Sequence, residues 1–153
     1  MGAAAAASAA LAGLVFVGAS INLKELMSYV GGPNRALEAI VLLSMVLLES
    51  MLVLAPTQPL WVLGLELLVV AAAAWVTVLM IHAQAYRVYP TQLRGQLVVR
   101  IAFGEAAVLP FVVAGFMLLI HAGGGLYWLL PGVIVANAAG LYNAWVLLIE
   151  ILR

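Results

Sequence analysis

The chain has no cysteine and no aspartate, and only 8% of its 153 residues are charged. The missing thiols exclude disulfides, thiolate metal sites and a cysteine nucleophile. The missing aspartate excludes aspartyl chemistry. Six basic residues balance six acidic ones, all glutamate, so the net charge is zero; nothing in that balance points to a nucleic-acid partner. No phosphate-binding loop, dinucleotide fingerprint, His-Glu-x-x-His run, nucleophile elbow or potassium-filter sequence occurs. No cofactor or metal is therefore expected, and an enzyme is the less favoured reading without being excluded.

What is present is apolar surface. Hydrophobic residues make up 67% of the chain, against about 45–50% in soluble domains. A soluble domain of this size still exposes roughly 30% of its unfolded-chain surface, which so few polar residues could not cover. The bilayer is expected to be the solvent, and the lipid bilayer the first partner.

A spanning helix takes about 20 mainly apolar residues. Five stretches qualify: Ala3–Ile21, Ala36–Leu54, Leu60–His82, Leu97–His121 and Leu126–Leu152. The expectation is an all-α, five-transmembrane-helix bundle forming a single membrane domain over residues 1–153. A barrel is disfavoured because the apolar runs are much longer than the about 10 residues of a membrane strand. Gly31-Gly32-Pro33-Asn34, Pro56-Thr57-Gln58-Pro59 and Gly123-Gly124-Gly125 punctuate the spans with turn-forming residues. The first span resembles a signal peptide around Val17-Gly18-Ala19. No basic stretch precedes it and Lys24 follows it, so it reads as a permanent helix.

Lys24, Arg35, Arg87, Arg94, Arg100 and Arg153 all fall on or near the side shared by the loops at 22–35 and 83–96 and by the C-terminus. Basic loops stay in the cytoplasm, so the N-terminus is expected outside and the C-terminus inside. Trp61, Tyr127 and Trp128 would form an outer aromatic belt, and Tyr86 and Tyr89 an inner one. Arg35 to Trp61 and Arg100 to Trp128 are similarly spaced, the signature of a weak parallel repeat of two hairpins.

Ionisable groups inside a span cost at least ~2.5–3.5 kcal/mol at the bilayer centre and normally face a bundle interior, a partner or water. Glu49 and Glu66 lie on antiparallel neighbouring spans, both roughly 10 Å inside the outer boundary at 1.5 Å per residue. If they meet, a shared proton or a bound small cation would relieve their repulsion. Glu38, Glu105, Arg35 and Arg100 collect near the cytoplasmic end. Arg35 and Glu38 are three apart and can pair, and Arg100 is a candidate partner for Glu38 from another helix. Glu38 and Glu49 share a face of the second span, which would line a polar path or simply face the bundle. Asn137 and Asn143 would supply neutral ligands or helix contacts beside the small face Ala136, Gly140, Ala144. Asn143 also shares a face with Glu150. Pro110 and Pro131 are expected to kink helices. His82 and His121 fall at opposite faces and read as interfacial residues.

The runs Gly13-Leu-Val-Phe-Val, Ser20-Ile-Asn-Leu-Lys and Arg35-Ala-Leu-Glu38, with the closing Leu126-Tyr-Trp, Pro131-Gly and Asn143-Ala-Trp-Val-Leu-Leu-Ile-Glu150, resemble small multi-span membrane proteins of high-GC, actinobacterial-type bacteria. The resemblance covers most of the chain and implies a bacterial cell membrane, without implying a chemistry. Three functions follow as expectations. The first is a small homo-oligomeric ion channel or proton- or cation-coupled transporter using the intramembrane glutamates. The second is a non-catalytic accessory subunit packing on a larger membrane partner. The third is a lipid- or small-molecule-modifying enzyme, for which glutamate and histidine offer acid–base groups but the sequence shows no catalytic arrangement.

Overall fold

A computed structural model describes residues 1–29, 31–90, 94–121 and 123–147 (the side chain of Gln96 excepted). The described residues are helical apart from turns. In chain order they form α1 (Gly2–Ile21), α2 (Leu23–Ser28), α3 (Gly32–Leu54), α4 (Leu60–Val88), α5 (Arg94–Leu119), a 3-10 turn over Gly125–Trp128, and α6 (Leu129–Trp145). Five helical segments are long and apolar enough to cross a membrane. With no water in the hydrocarbon to satisfy free backbone groups, helices are what an apolar chain of this kind must form there. The protein is thus built as a multi-pass membrane protein.

α3 is the hub of the bundle. It packs against α1, α4 and α6, with slighter contacts to α2 and α5, while α4 with α5 and α5 with α6 complete a ring. α1 lies outside that ring, against α3 and α6. The core joins Leu42 and Val46 of α3, Leu67 and Val78 of α4, Val108 and Phe111 of α5 and Ala136 of α6. Large apolar side chains such as Phe16, Leu48, Val69, Phe116 and Ile134 are left exposed on the outside, as suits a surface facing lipid.

Small residues set the helix spacing. An added Cβ at Gly64 would come 2.9 Å from the Gly115 carbonyl oxygen, and one at Gly115 would come 2.9 Å from that of Gly64; α4 and α5 touch there backbone to backbone. On α6 the expected small face is buried, with Ala136, Gly140 and Ala144 all inside. Gly31 opens α3 at φ 81, and a Cβ there would fall 2.6 Å from Tyr89 Cε2, so both the left-handed backbone and the close approach require glycine.

Several boundaries differ from those read in the sequence. α3 begins at Gly32 rather than Ala36, because Pro33 is accepted in the first helical turn, where its missing N–H would have no partner anyway. α4 continues to Val88 instead of ending at His82: hydropathy marks where oil ends, and a helix can run on past it. α5 runs from Arg94 to Leu119 and passes through Pro110 without ending. Pro131 sits in the first turn of α6, not in a helix interior, since Gly125–Trp128 is a separate 3-10 turn. The short α2 in the first loop was not expected. The expected end of the last span at Leu152, together with Glu150 and Arg153, lies outside the described residues.

Candidate functional site

Met27 and Tyr29 after α1 and Asn34 at the start of α3 meet Val88 and Tyr89 at the end of α4 across a common cleft, so these segments share one end of the bundle. Lys24, Arg35, Arg87, Arg94 and Arg100 belong to this basic end. Just inside it, three helices bring ionisable groups together.

α3 contributes Glu38, α4 His82 and Trp75, and α5 Arg100 and Glu105. Arg100 Nε donates to Glu38 Oε2 at 2.6 Å, and its Nη2 also pairs with that oxygen. His82 Nε2 lies 3.4 Å from Glu38 Oε1. On the other side of the ring, His82 Nδ1 lies 3.8 Å from Glu105 Oε1, and Trp75 Nε1 donates to Glu105 Oε2 at 2.7 Å. The side chains of Glu38, Arg100 and His82 are 1%, 3% and 5% exposed, whereas that of Glu105 is 24% exposed. The order of contacts is Arg100–Glu38–His82–Glu105–Trp75. A buried charge is tolerable only when paired and hydrogen-bonded, and Arg100 and Glu38 supply each other with that.

Helical spacing explains the convergence. Trp75 and His82 are seven apart on α4, in the inward stripe that buries Ala71, Val78 and Ala85. Arg100 and Glu105 are five apart on α5, about 140° around the helix, so one reaches α3 and the other reaches α4. Gly104 makes room between them: a Cβ there would fall 2.8 Å from His82 Cε1 and 3.2 Å from Glu38 Oε1.

Beside this cluster is a cavity of about 360 Å³ between α3, α5 and α6. Arg35, Glu38, Arg100 and Asn143 form its inner wall, and all four are buried. Arg35 does not pair with Glu38 as its spacing allowed; Glu38 is held by α4 and α5 instead. Arg35 Nε and Nη1, Arg100 Nη1 and Asn143 Oδ1 are buried without a hydrogen-bond partner among the described residues.

The other candidates lie elsewhere. Glu49 is fully buried near the far end of α3, and neither of its carboxyl oxygens has a hydrogen-bond partner among the described residues. Glu66 is half-buried and accepts from Gln58 Nε2 in the turn before α4, so the Glu49–Glu66 meeting drawn from their common depth does not form a hydrogen-bonded pair. Asn137 accepts from Ser8 Oγ at 3.0 Å and donates to the Val133 carbonyl at 2.9 Å; its amide ties α1 to α6. The face shared by Glu38 and Glu49 is interrupted by Leu42, Met45 and Val46, each 0–2% exposed, so what joins the two glutamates is dry core and not a polar path.

His82 is the correction with the largest consequence. Placed at the membrane face by the span boundary, it is a buried central member of the cluster because α4 extends six residues beyond it. Trp75, half-buried on the same stripe, joins the cluster without having been among the residues expected there. The signal for both was the inward heptad of α4, which continues through His82. Among the described residues no group of three or more metal-type ligands is present. Family models, curated proteins and solved structures give no match to this chain, so the chemistry of the site rests on its own residues.

Proposed function

We propose that this is a proton- or cation-coupled transport protein of a bacterial cell membrane, with its basic end in the cytoplasm and its working centre at Glu38, His82, Arg100 and Glu105. The observation that carries this reading is the position of His82, with one ring nitrogen toward a glutamate of α3 and the other toward a glutamate of α5. Chains of glutamate and histidine buried in a helical bundle are the usual form of an intramembrane proton relay. An imidazole can take a proton at Nδ1 from the partly exposed Glu105 and release the one on Nε2 to Glu38, while Arg100 holds Glu38 in place. The dry packing at Leu42, Met45 and Val46 favours a carrier over an open pore through a single bundle. Glu49 and Glu66 remain candidates for the outer end, and Asn143 for a neutral ligand at the inner one.

The test is proton flux into vesicles holding a pH-sensitive dye, with purified protein reconstituted and a membrane potential imposed. Glu105→Gln keeps the shape and removes the titrating group; flux is expected to fall by about a hundredfold, the scale lost when a positioned acid–base group is removed. Undiminished flux in that variant would remove the relay.

A second reading, the accessory subunit or homo-oligomer, draws on α1. That helix buries only Ser8, Val15 and Gly18 and leaves Ala6, Ala10 and Gly13 exposed, a small-residue face suited to another helix. Wild-type vesicles that match empty ones in flux, from protein that purifies as a stoichiometric assembly, would select this reading.

A further inference from the structure

The geometry points to the cavity between α3, α5 and α6 as a binding site for a phosphate-type oxyanion, held by Arg35 and Arg100. The inference adds a ligand class to the centre described above, and it does not depend on proton movement.

Three observations carry it. The first is charge. Two guanidinium groups and one carboxylate line the cavity; Glu38 is engaged by Arg100, which leaves Arg35 without a counter-charge among the described residues. The second is unmet donors. Arg35 is 7% exposed, and its Nε and Nη1, like Arg100 Nη1, find no acceptor among the described residues. Buried donors are almost always paired in folded proteins, and a cationic one left alone is costly. Guanidinium presents a planar fork of N–H groups that matches a phosphate or carboxylate with two parallel bonds. Tetrahedral phosphate also offers oxygens to a second arginine on another helix, and the cavity has one on α3 and one on α5.

The third observation is the way in. The outer rim is Val99 and Phe103 of α5 and Tyr142 of α6, and these are 58%, 54% and 59% exposed. They belong to the lipid-facing surface of the bundle, so the cavity has a polar back and an apolar lip. A phosphate carried on an apolar tail fits both parts, and basic pockets between membrane helices take lipid headgroups in this manner. A soluble phosphate would satisfy the same arginines without using the lip.

Equilibrium binding to the whole protein in neutral detergent micelles tests this, with three probes: phosphatidic acid, phosphatidylcholine and inorganic phosphate. Phosphatidic acid is expected to bind at least about tenfold more tightly than phosphatidylcholine, the scale of one charge-assisted hydrogen bond. Arg35→Gln is expected to remove that preference, and Arg35→Lys to restore only part of it. Inorganic phosphate that displaces the lipid at millimolar concentration would identify a soluble phosphate ligand; failure to displace it would identify the lipid. Either outcome supports the oxyanion site. Equal binding of the two lipids by the wild-type protein, with no response to inorganic phosphate, would overturn it, and that comparison needs no variant to fold. Because binding is read at equilibrium, a protein that moves no protons can still show the site, and one that moves them can still lack it.

Discussion

Glu38→Gln is expected to lower the stability of the bundle by about 3–5 kcal/mol, the usual result of removing one partner from a buried ion pair. The substitution barely changes volume, so the loss reports charge rather than packing. Glu38 is buried at the junction of three helices and takes two contacts from Arg100 and one from His82. Its neutral replacement leaves the Arg100 guanidinium, 4% exposed, without the one carboxylate that it contacts among the described residues. Arg100→Met, which strands the carboxylate instead, should be destabilising to a similar degree. Combining the two removes both charges, and well-packed neutral replacements of buried pairs are often tolerated; the double variant should therefore be more stable than Glu38→Gln alone. Reversible unfolding in mixed micelles with increasing SDS measures all three. A double variant whose loss equals the sum of the singles would mean that the two side chains do not interact.

Glu49 predicts the opposite sign. It lies on the same helix and is equally buried, yet both carboxyl oxygens are without a partner among the described residues. It sits one turn from the dry core residues Met45 and Val46, with Ser50, also unpartnered, beside it. A buried polar group with no hydrogen bond costs about 1–3 kcal/mol, and an apolar replacement of similar shape recovers that cost. Glu49→Met is accordingly expected to stabilise the protein by about this amount in the same unfolding assay. If the variant is destabilised, Glu49 has a partner that the bare chain lacks, such as a bound cation, and the outer-end site expected from the sequence gains its first support. The two glutamates, eleven residues apart on one face of α3, thus separate a carboxylate that the fold needs from one that it merely accommodates.

The sequence carries the depth of each polar residue better than the direction in which it points. Depth was legible. Counting about 1.5 Å per residue along apolar runs located five spans, grouped Arg35, Glu38, Arg100 and Glu105 at one end, and singled out Arg100 as a partner for Glu38. Azimuth was not. Glu49 and Glu66 lie toward the same end of adjacent helices, but the direction in which each points depends on how α3 packs against α1 and α6 as well as α4, and no single-helix pattern contains that. Glu66 also had a nearer partner, Gln58, in a turn whose geometry hydropathy does not describe. Arg35 shows the same limit: three residues from Glu38, it loses that partner to helices arriving from elsewhere in the chain.

His82 was lost for a different reason. Ending α4 where the apolar run ended put the histidine at a surface. The stripe Leu67, Ala71, Ala74, Val78, Ile81, Ala85, all buried, carries on through that boundary. Following the 3.6-residue period to its own end would have turned His82 inward together with Trp75. A charged or polar residue can end a hydropathy window without ending a helix, and at this site the working groups occupy the stretch between those two ends.

The position of His82 is what the functional account stands on, and the chain has only two histidines, so the nitrogen NMR spectrum of histidine-labelled protein in bilayers tests it directly. His121 is exposed and should behave as a solvated ring in exchange with water. His82 should give a second, distinct signal with both ring nitrogens shielded from bulk water and perturbed by Glu38→Gln and Glu105→Gln, the variants on either side of it. Two rings that exchange alike, with the His82 resonance unmoved by either substitution, would place that side chain outside the bundle and contradict the account.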